Sequence, residues 1–251
     1  MNDDSEQSAL GERLQRQEAA LAAARQDLEA FTAKLCHDLK APLRAMCVFS
    51  EALTEDYADA LDDTGREYLG YIADGAQSMN RMIGDLQTYN RIGTGTLTFT
   101  LESLEDVVAA VASRLAPEIS ASGAHIDIDK PLEDVQINRA SFEQALQHIV
   151  DNALRFAQPG TQPHIHIGAE RVPEGIMLRV TDNGIGIAPE HCERIFEVFL
   201  RLNPGRDTES TGIGLAIVRK VMTLHGGTVT ASPVPGGGTT IEMFIPAMPR
   251  D

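Results

Sequence analysis

Residues 28–53 read LEAFTAKLCHDLKAPLRAMCVFSEAL, and the spacing of their apolar side chains decides how the first third of the chain folds. Leu28, Phe31, Leu35, Leu39, Leu43, Met46, Phe49 and Leu53 recur at intervals of three and four. At about 100° per residue they stay within roughly 60° of one line, so they form one stripe along a single long helix. A second stripe, Tyr68, Ile72, Gly75/Ala76, Met79, Met82/Ile83, Leu86 and Tyr89, follows the segment DYADALDDTG at 56–65. That segment supplies a turn, with Asp63 or Thr64 as the cap of the second helix. Two long helices on a short loop make a hairpin. One hairpin cannot bury both stripes, whereas a four-helix bundle made by two chains can. The sequence therefore predicts a homodimer.

Outward from the hairpin the texture changes. Residues 5–91 hold one proline, Pro42, and are rich in helix formers. GTGTLTFT at 93–100 is a Gly/Thr linker running into an extended piece. Short alternating segments follow: HIDID (125–129), VQIN (135–138), PHIHIGAE (163–170), IMLRVTD (176–182), GGTVTAS (226–232) and TTIEMFIP (239–246). Helical stretches at 104–115, 139–157 and 212–225 separate them. This mixture predicts an α+β sandwich, a mixed sheet covered on one face by helices. The domains are placed at 1–92 and 97–251, with residues 1–30, rich in Ala, Glu, Gln and Leu, read as a signalling helix or coiled coil.

Composition removes several classes of function. The 251 residues carry 21 Lys and Arg against 37 Asp and Glu, a net charge of −16, which argues against binding nucleic-acid phosphates or anionic lipid. No apolar run approaches the ~18 residues that span a bilayer. Met1 to Arg13 is acidic where a signal peptide is basic and then apolar. Cys36, Cys47 and Cys192 have neither disulfide-framework nor zinc spacing, and Cys36 is expected to be a buried, inert thiol. These features fit a cytoplasmic chain without a membrane span.

Four constellations carry chemistry. His37 is rotated about 180° from Leu28 round the first helix, on the solvent face, and its imidazole is a nucleophile at neutral pH. Asp38 beside it can accept or orient a proton. Pro42 removes the amide that would bond the Asp38 carbonyl, so a kink is expected there. In QHIVDNALRF (147–156), His148, Asn152 and Arg155 share a helix flank at i, i+4 and i+7; the amide suits Mg²⁺ and the guanidinium suits phosphate. In RVTDNGIGIAPE (179–190), a strand delivers Asp182, an acceptor for an exocyclic amine, into a turn where Gly184 and Gly186 permit close approach. In STGIGLAIVRK (210–220), Gly212 and Gly214 open a helix whose first amides can bind an anion. A Rossmann reading fails, because these glycines follow a polar loop late in the chain. Phe196 and Phe199 of RIFEVFLRL are expected to anchor the segment between the last two motifs.

The order of these motifs resembles that of the two-component sensor histidine kinases over about residues 20–246. HDLKAPLR, NALRF, DNGIGI, the phenylalanine pair, TGIGLA and GGGTT are similar to the family's conserved boxes, and HDLKAPLR is worded like kinases associated with bacterial phytochromes. The resemblance implies a dimerisation and histidine-phosphotransfer hairpin followed by a Bergerat-type ATP-binding domain. It makes His37 the phosphoacceptor and Asp38 its proton acceptor. It assigns Mg²⁺ to Asn152, the triphosphate to Arg155, Gly212 and Gly214, and the adenine amine to Asp182 with Gly184 and Gly186 beneath the base. Arg201 and Thr239 match less distinctive nucleotide-binding positions, and residues 188–211 would form a lid. ATP and Mg²⁺ are the implied ligands; the implied partners are a second copy, a response-regulator receiver domain and either an upstream sensor domain or a separate sensor protein. His148, Ser210 and Ala41 depart from the family's common Asn, Gly and Thr or Asn. The alternative is a dimeric pseudokinase, a phosphotransfer scaffold without ATP turnover.

Overall fold

A computed structural model describes residues 2–57, 59–93, 97–202 and 210–247. The chain divides into two compact units, residues 1–90 and 91–251.

In the first unit α1 (Asn2–Asp56) and α2 (Asp63–Arg91) form the hairpin. α1 runs through Pro42 without interruption. The cap of α2 is Asp62, rather than Asp63 or Thr64: its Oδ1 accepts the Gly65 amide at 2.7 Å. A cap of this kind is worth about 1 kcal/mol. The expected single stripe separates into two faces. Cys36 and Leu43 of α1 pack with Ala76 and Ile83 of α2, flanked by Cys47 and Leu86. On α1 these inward residues sit roughly 60–100° round from Leu28. Phe31, Leu35, Leu39, Met46 and Phe49 lie nearer the stripe's centre and stay exposed, as do Tyr68, Ile72 and Met79 of α2. A helix with only one neighbour covers only one side of a broad apolar arc, so the rest faces outward.

In the second unit β2 (His125–Ile128), β4 (His164–Val172), β5 (Gly175–Asp182), β7 (Thr239–Pro246) and β6 (Thr228–Pro233) form one sheet in that order. β2 pairs parallel with β4, and the other pairings are antiparallel. β1 (Thr100–Ser103) and β3 (Asp134–Ile137) form a separate two-stranded antiparallel sheet, where one continuous sheet was expected. Period-2 alternation turns Ile165, Ile167, Leu178, Val180, Ile241 and Met243 inward. α3 (Leu104–Arg114), α5 (Arg139–Arg155) and α6 (Gly214–Leu224) supply the rest of that core, including Val107, Phe142, Leu146 and Ile217. The short α4 (Ala116–Ser122), unforeseen in the sequence, ends at Gly123 with φ 65°. The opposite sheet face is polar; there the Asp127 carboxylate takes His125 Nε2 at 2.9 Å and His164 Nε2 at 2.8 Å.

Caps set where the core helices begin. Ser103 accepts the Asp106 amide at 3.2 Å to start α3, and Asn138 Oδ1 accepts the Ser141 amide at 3.1 Å to start α5. His225, just past α6, ties these elements together. Its Nδ1 bonds the Val221 carbonyl at 2.8 Å, so Nε2 is the lone-pair nitrogen that receives the Asn138 amide at 3.0 Å. Phe99 and Phe142 meet the ring edge-on at 5.1 and 5.8 Å. Burial pushes the His225 pKa below 6.5, against the raising effect of the Val221 carbonyl.

Candidate functional site

The hairpin presents His37 to solvent, with its side chain 87% exposed beside Asp38 at 63%. The cause is local. Cys36, the preceding residue, is 1% exposed and turned toward α2, which rotates His37 a further 100° or so away. His37 Nδ1 lies 3.4 Å from Asp38 Oδ1, at the outer limit of a hydrogen bond. A proton on Nδ1 directed at Asp38 leaves Nε2 with its lone pair free to attack. Ala41, one turn on, is exposed and brings no polar group to this surface. Lys40, in contrast, is tied to Gln87 of α2 at 2.8 Å.

In the second unit the end of β5, the turn that follows it, the end of α5 and the start of β7 come together. Asp182 is half-buried there, and its Oδ1 accepts the Gly184 amide at 2.8 Å and the Thr239 amide at 3.2 Å. Both backbone donors engage one oxygen, which leaves Oδ2 for a ligand. Burial raises the Asp182 pKa above its ordinary 3.8, and the two amides oppose that rise. Thr239 thus joins the site through its backbone, held there by β7.

The glycines leave no room for side chains. A Cβ on Gly184 would stand 2.4 Å from the Phe156 carbonyl oxygen, at the end of α5. One on Gly238, whose φ is 101°, would stand 2.0 Å from the Asp182 carbonyl oxygen. Gly186 (φ 74°) closes against the same Gly238. The turn after Asp182 is therefore clasped between α5 and the glycine run 236–238. The function of that run was missed in the sequence, although three glycines before a strand are a signal of close backbone approach. Such a cradle fits a planar base lying on backbone with its amine on a carboxylate.

Asn152 lies on the flank of α5, one turn before Phe156, and Arg155 pairs with Asp151 at 3.3 Å. Gly214 opens α6, which has no side-chain cap. His148 packs against it, with Nδ1 3.1 Å from where a Gly214 Cβ would be. Gly212 (φ 70°) stands two residues before Gly214, and its carbonyl accepts the Phe199 amide at 2.8 Å, a bond between residues that flank the segment 200–211. Arg201 is half-buried at the start of that segment, and residues 203–209 of the expected lid lie outside the described residues. Only one of the expected phenylalanine anchors is buried. Phe196 packs beneath the Arg219 guanidinium at 4.9 Å, and Arg219 also bonds the Glu193 carbonyl at 3.0 Å. Phe199 is 52% exposed, because its left-handed backbone (φ 66°) accompanies the bond to Gly212 and its side chain is left outside the core. Among the described residues no three His, Cys, Asp or Glu side chains are grouped to hold a metal. Asn152 would hold a Mg²⁺ ion through its amide oxygen, a hard donor of the kind that ion takes.

Two family descriptions match the chain in this order. Residues 27–95 match the His Kinase A (phospho-acceptor) domain, and residues 137–249 match the histidine kinase-, DNA gyrase B- and HSP90-like ATPase. Cyanobacterial phytochrome A of Nostoc sp. is 33% identical over 225 residues, covering 90% of this chain and 29% of that protein. The sensor-like histidine kinase SenX3 of Mycobacterium tuberculosis is 33% identical over 237 residues, covering 92% of this chain and 56% of SenX3. The chain thus spans less than a third of the phytochrome and just over half of SenX3. Among solved structures, full-length ShkA in complex with AMPPNP shares the fold with a TM-score of 0.61 at 24% identity, covering 86% of this chain and 46% of ShkA. The catalytic domain of histidine kinase ThkA matches with a TM-score of 0.52 at 26% identity, covering 59% of this chain and 95% of ThkA's domain. A phospho-acceptor hairpin leading into this type of ATPase fold, with relatives aligned along nearly its whole length, places the chain in the family of two-component sensor histidine kinases.

Proposed function

We propose that this chain is an ATP-dependent histidine autokinase that phosphorylates His37 and hands the phosphoryl group to an aspartate of a response-regulator receiver domain. The observation that carries the reading is the Asp182 cradle: a carboxylate oxygen left open over glycine backbone, on a chain that also exposes a His-Asp pair. In the transfer, His37 Nε2 forms a bond to the γ-phosphorus as the bond to the β-γ bridging oxygen breaks, and ADP leaves. Asp38 holds the Nδ1 proton and balances the positive charge that develops on the ring. Positioning and charge neutralisation account for most of such catalysis. Asn152 would hold Mg²⁺, whose contribution is to offset phosphate charge. Arg155, Gly212, Gly214 and Arg201 belong to the phosphate end, and Asp182, Gly184, Gly186 and Thr239 to the base end.

The reading includes a homodimer, supported by the exposed apolar faces of α1 and α2. It includes a cytoplasmic location, in keeping with the absence, among the described residues, of a helix long and apolar enough to cross a membrane. A sensor, either an upstream domain or a separate protein, completes it. The pseudokinase alternative is disfavoured by the intact Asp182 cradle. The test incubates the chain with γ-labelled ATP and Mg²⁺. Protein-bound label stable to base and labile to acid is expected; nucleotide binding without label would leave the pseudokinase. Sedimentation as a monomer at micromolar concentration would remove the dimer.

A further inference from the structure

The face of α1 that carries His37 runs on toward the α1–α2 turn, and its charge changes sign on the way. Glu55 stands 18 residues past His37, five helical turns, so it points the same way about 27 Å further along. Lys40, Arg44, Val48 and Glu51 fall within about 60° of that line, and all are exposed. The apolar stripe centred on Leu28 is half a turn away round the helix. This face is thus basic beside His37, apolar at Val48 and acidic at Glu51 and Glu55.

Beside the two glutamates a groove of about 280 Å³ opens between α1 and α2, lined also by Ser50, Gly70 and Ala73. Ser50 is 4% exposed; its carbonyl accepts the Thr54 hydroxyl at 2.8 Å, and its own hydroxyl has no partner among the described residues. Gly70 has nothing within 4 Å of a built Cβ. Arg66, which also lines the groove, is drawn to Asp63 and to the Leu61 carbonyl, both at 2.8 Å. Neither Glu51 nor Glu55 has an ion-pair partner among the described residues. Space, an unused hydroxyl and an uncompensated acidic rim together fit a basic side chain brought from outside.

A receiver domain that brings its aspartate to His37 lies along this face. A domain of 100–150 residues is roughly 35 Å across, enough to reach Glu55. Its acidic acceptor end suits Lys40 and Arg44. Resting on the phosphotransfer reading, we propose that the hairpin selects receivers by charge. It takes those with a Lys or Arg about 20–27 Å from the acceptor aspartate, a side chain that enters the groove and pairs with Glu51 and Glu55.

The test is phosphotransfer from the full chain, labelled on His37, to purified receiver domains of known structure. One group carries Lys or Arg at that distance from the aspartate, the other Asp or Glu. The first group is expected to take label faster, by about tenfold or more at about 50 mM salt, with the gap closing at about 500 mM, as for charge-steered docking. Glu51→Lys combined with Glu55→Lys should reverse the order of the groups. Label on His37 and the melting temperature of the helical signal should stay at wild-type values in that variant. No difference between the groups, an unchanged order in the double variant, or an equal slowing of both groups would overturn the proposal. A double variant that sediments as a monomer beside a dimeric wild type would assign the face to the second copy, and overturn it too. Failure of His37 to take label would overturn the autokinase reading, and this inference with it.

Discussion

Phe31 and Phe49 of α1 are 64% and 67% exposed, whereas Phe142 of α5 is fully buried. The contrast extends to whole elements. The hairpin turns only a narrow row of Cys36, Leu43, Ala76 and Ile83 inward and leaves its large apolar side chains outside. The ATPase unit encloses Phe142, Leu146, Ile165, Leu178 and Ile217, among others, between a sheet face and three helices. Glycines follow the same division. Gly70, Gly75 and Gly84 of α2 have nothing within 4 Å of a built Cβ, whereas Gly184, Gly227 and Gly238 would collide with backbone. A two-helix unit keeps space and apolar surface for a partner. A closed sandwich that holds a small ligand spends both internally.

Four measurements would break or sharpen this contrast. The largest effect is expected from His37→Gln. It should abolish phosphorylation by γ-labelled ATP while calorimetric ADP affinity stays at the wild-type value, since the proposed acceptor and the proposed nucleotide site belong to different units; retained label would break the division. Next, Gly238→Ala should destabilise the ATPase unit by at least about 2 kcal/mol, because strain at a left-handed position adds to a backbone collision. The fall should appear in urea unfolding followed by near-ultraviolet signal, with hairpin helicity retained at denaturant concentrations that melt the mutant sandwich.

The third and smaller effect concerns pH. The folded-state pKa of His225 lies below its ordinary 6.5, so the neutral ring is the form that fits. Its contribution to stability is complete above pH 6.5 and is lost as pH falls through the lowered folded pKa, where the unfolded chain binds the extra proton. Protonated Nε2 could no longer accept the Asn138 amide. The urea midpoint of the ATPase unit should therefore fall between pH 7.5 and 5.5, and by less in His225→Gln. An identical fall in the variant would acquit this residue. The smallest effect runs the other way: Gly70→Ala should stabilise the hairpin by about 0.5–1 kcal/mol, as expected where a helical glycine has open space. Thermal melting of the helical signal would reveal it, and a loss of stability would mean that α2 has a close neighbour at Gly70.

Periodicity alone was enough for the hairpin, the strands of the sheet and the helices at 104–115 and 139–157, because a helix or strand writes its buried face into residues three, four or two apart. The identity and order of the motif residues were legible for the same local reason: His37 follows Cys36 on one helix, and Asp182 precedes its glycines on one turn. Which part of an apolar arc meets its own hairpin was not legible. Leu39 and Leu43 look equivalent in the sequence, and only the packing of α2 against α1 buries one and exposes the other. Nor could the sequence say that Thr239 reaches Asp182 across 57 positions, that Phe199 turns outward beside Phe196, or that His148 fits over Gly214. Each depends on residues far apart in the chain, in the case of Phe199 on the bond from its amide to Gly212. Their distances are set by how sheet and helices stack, and no spacing along the chain encodes them.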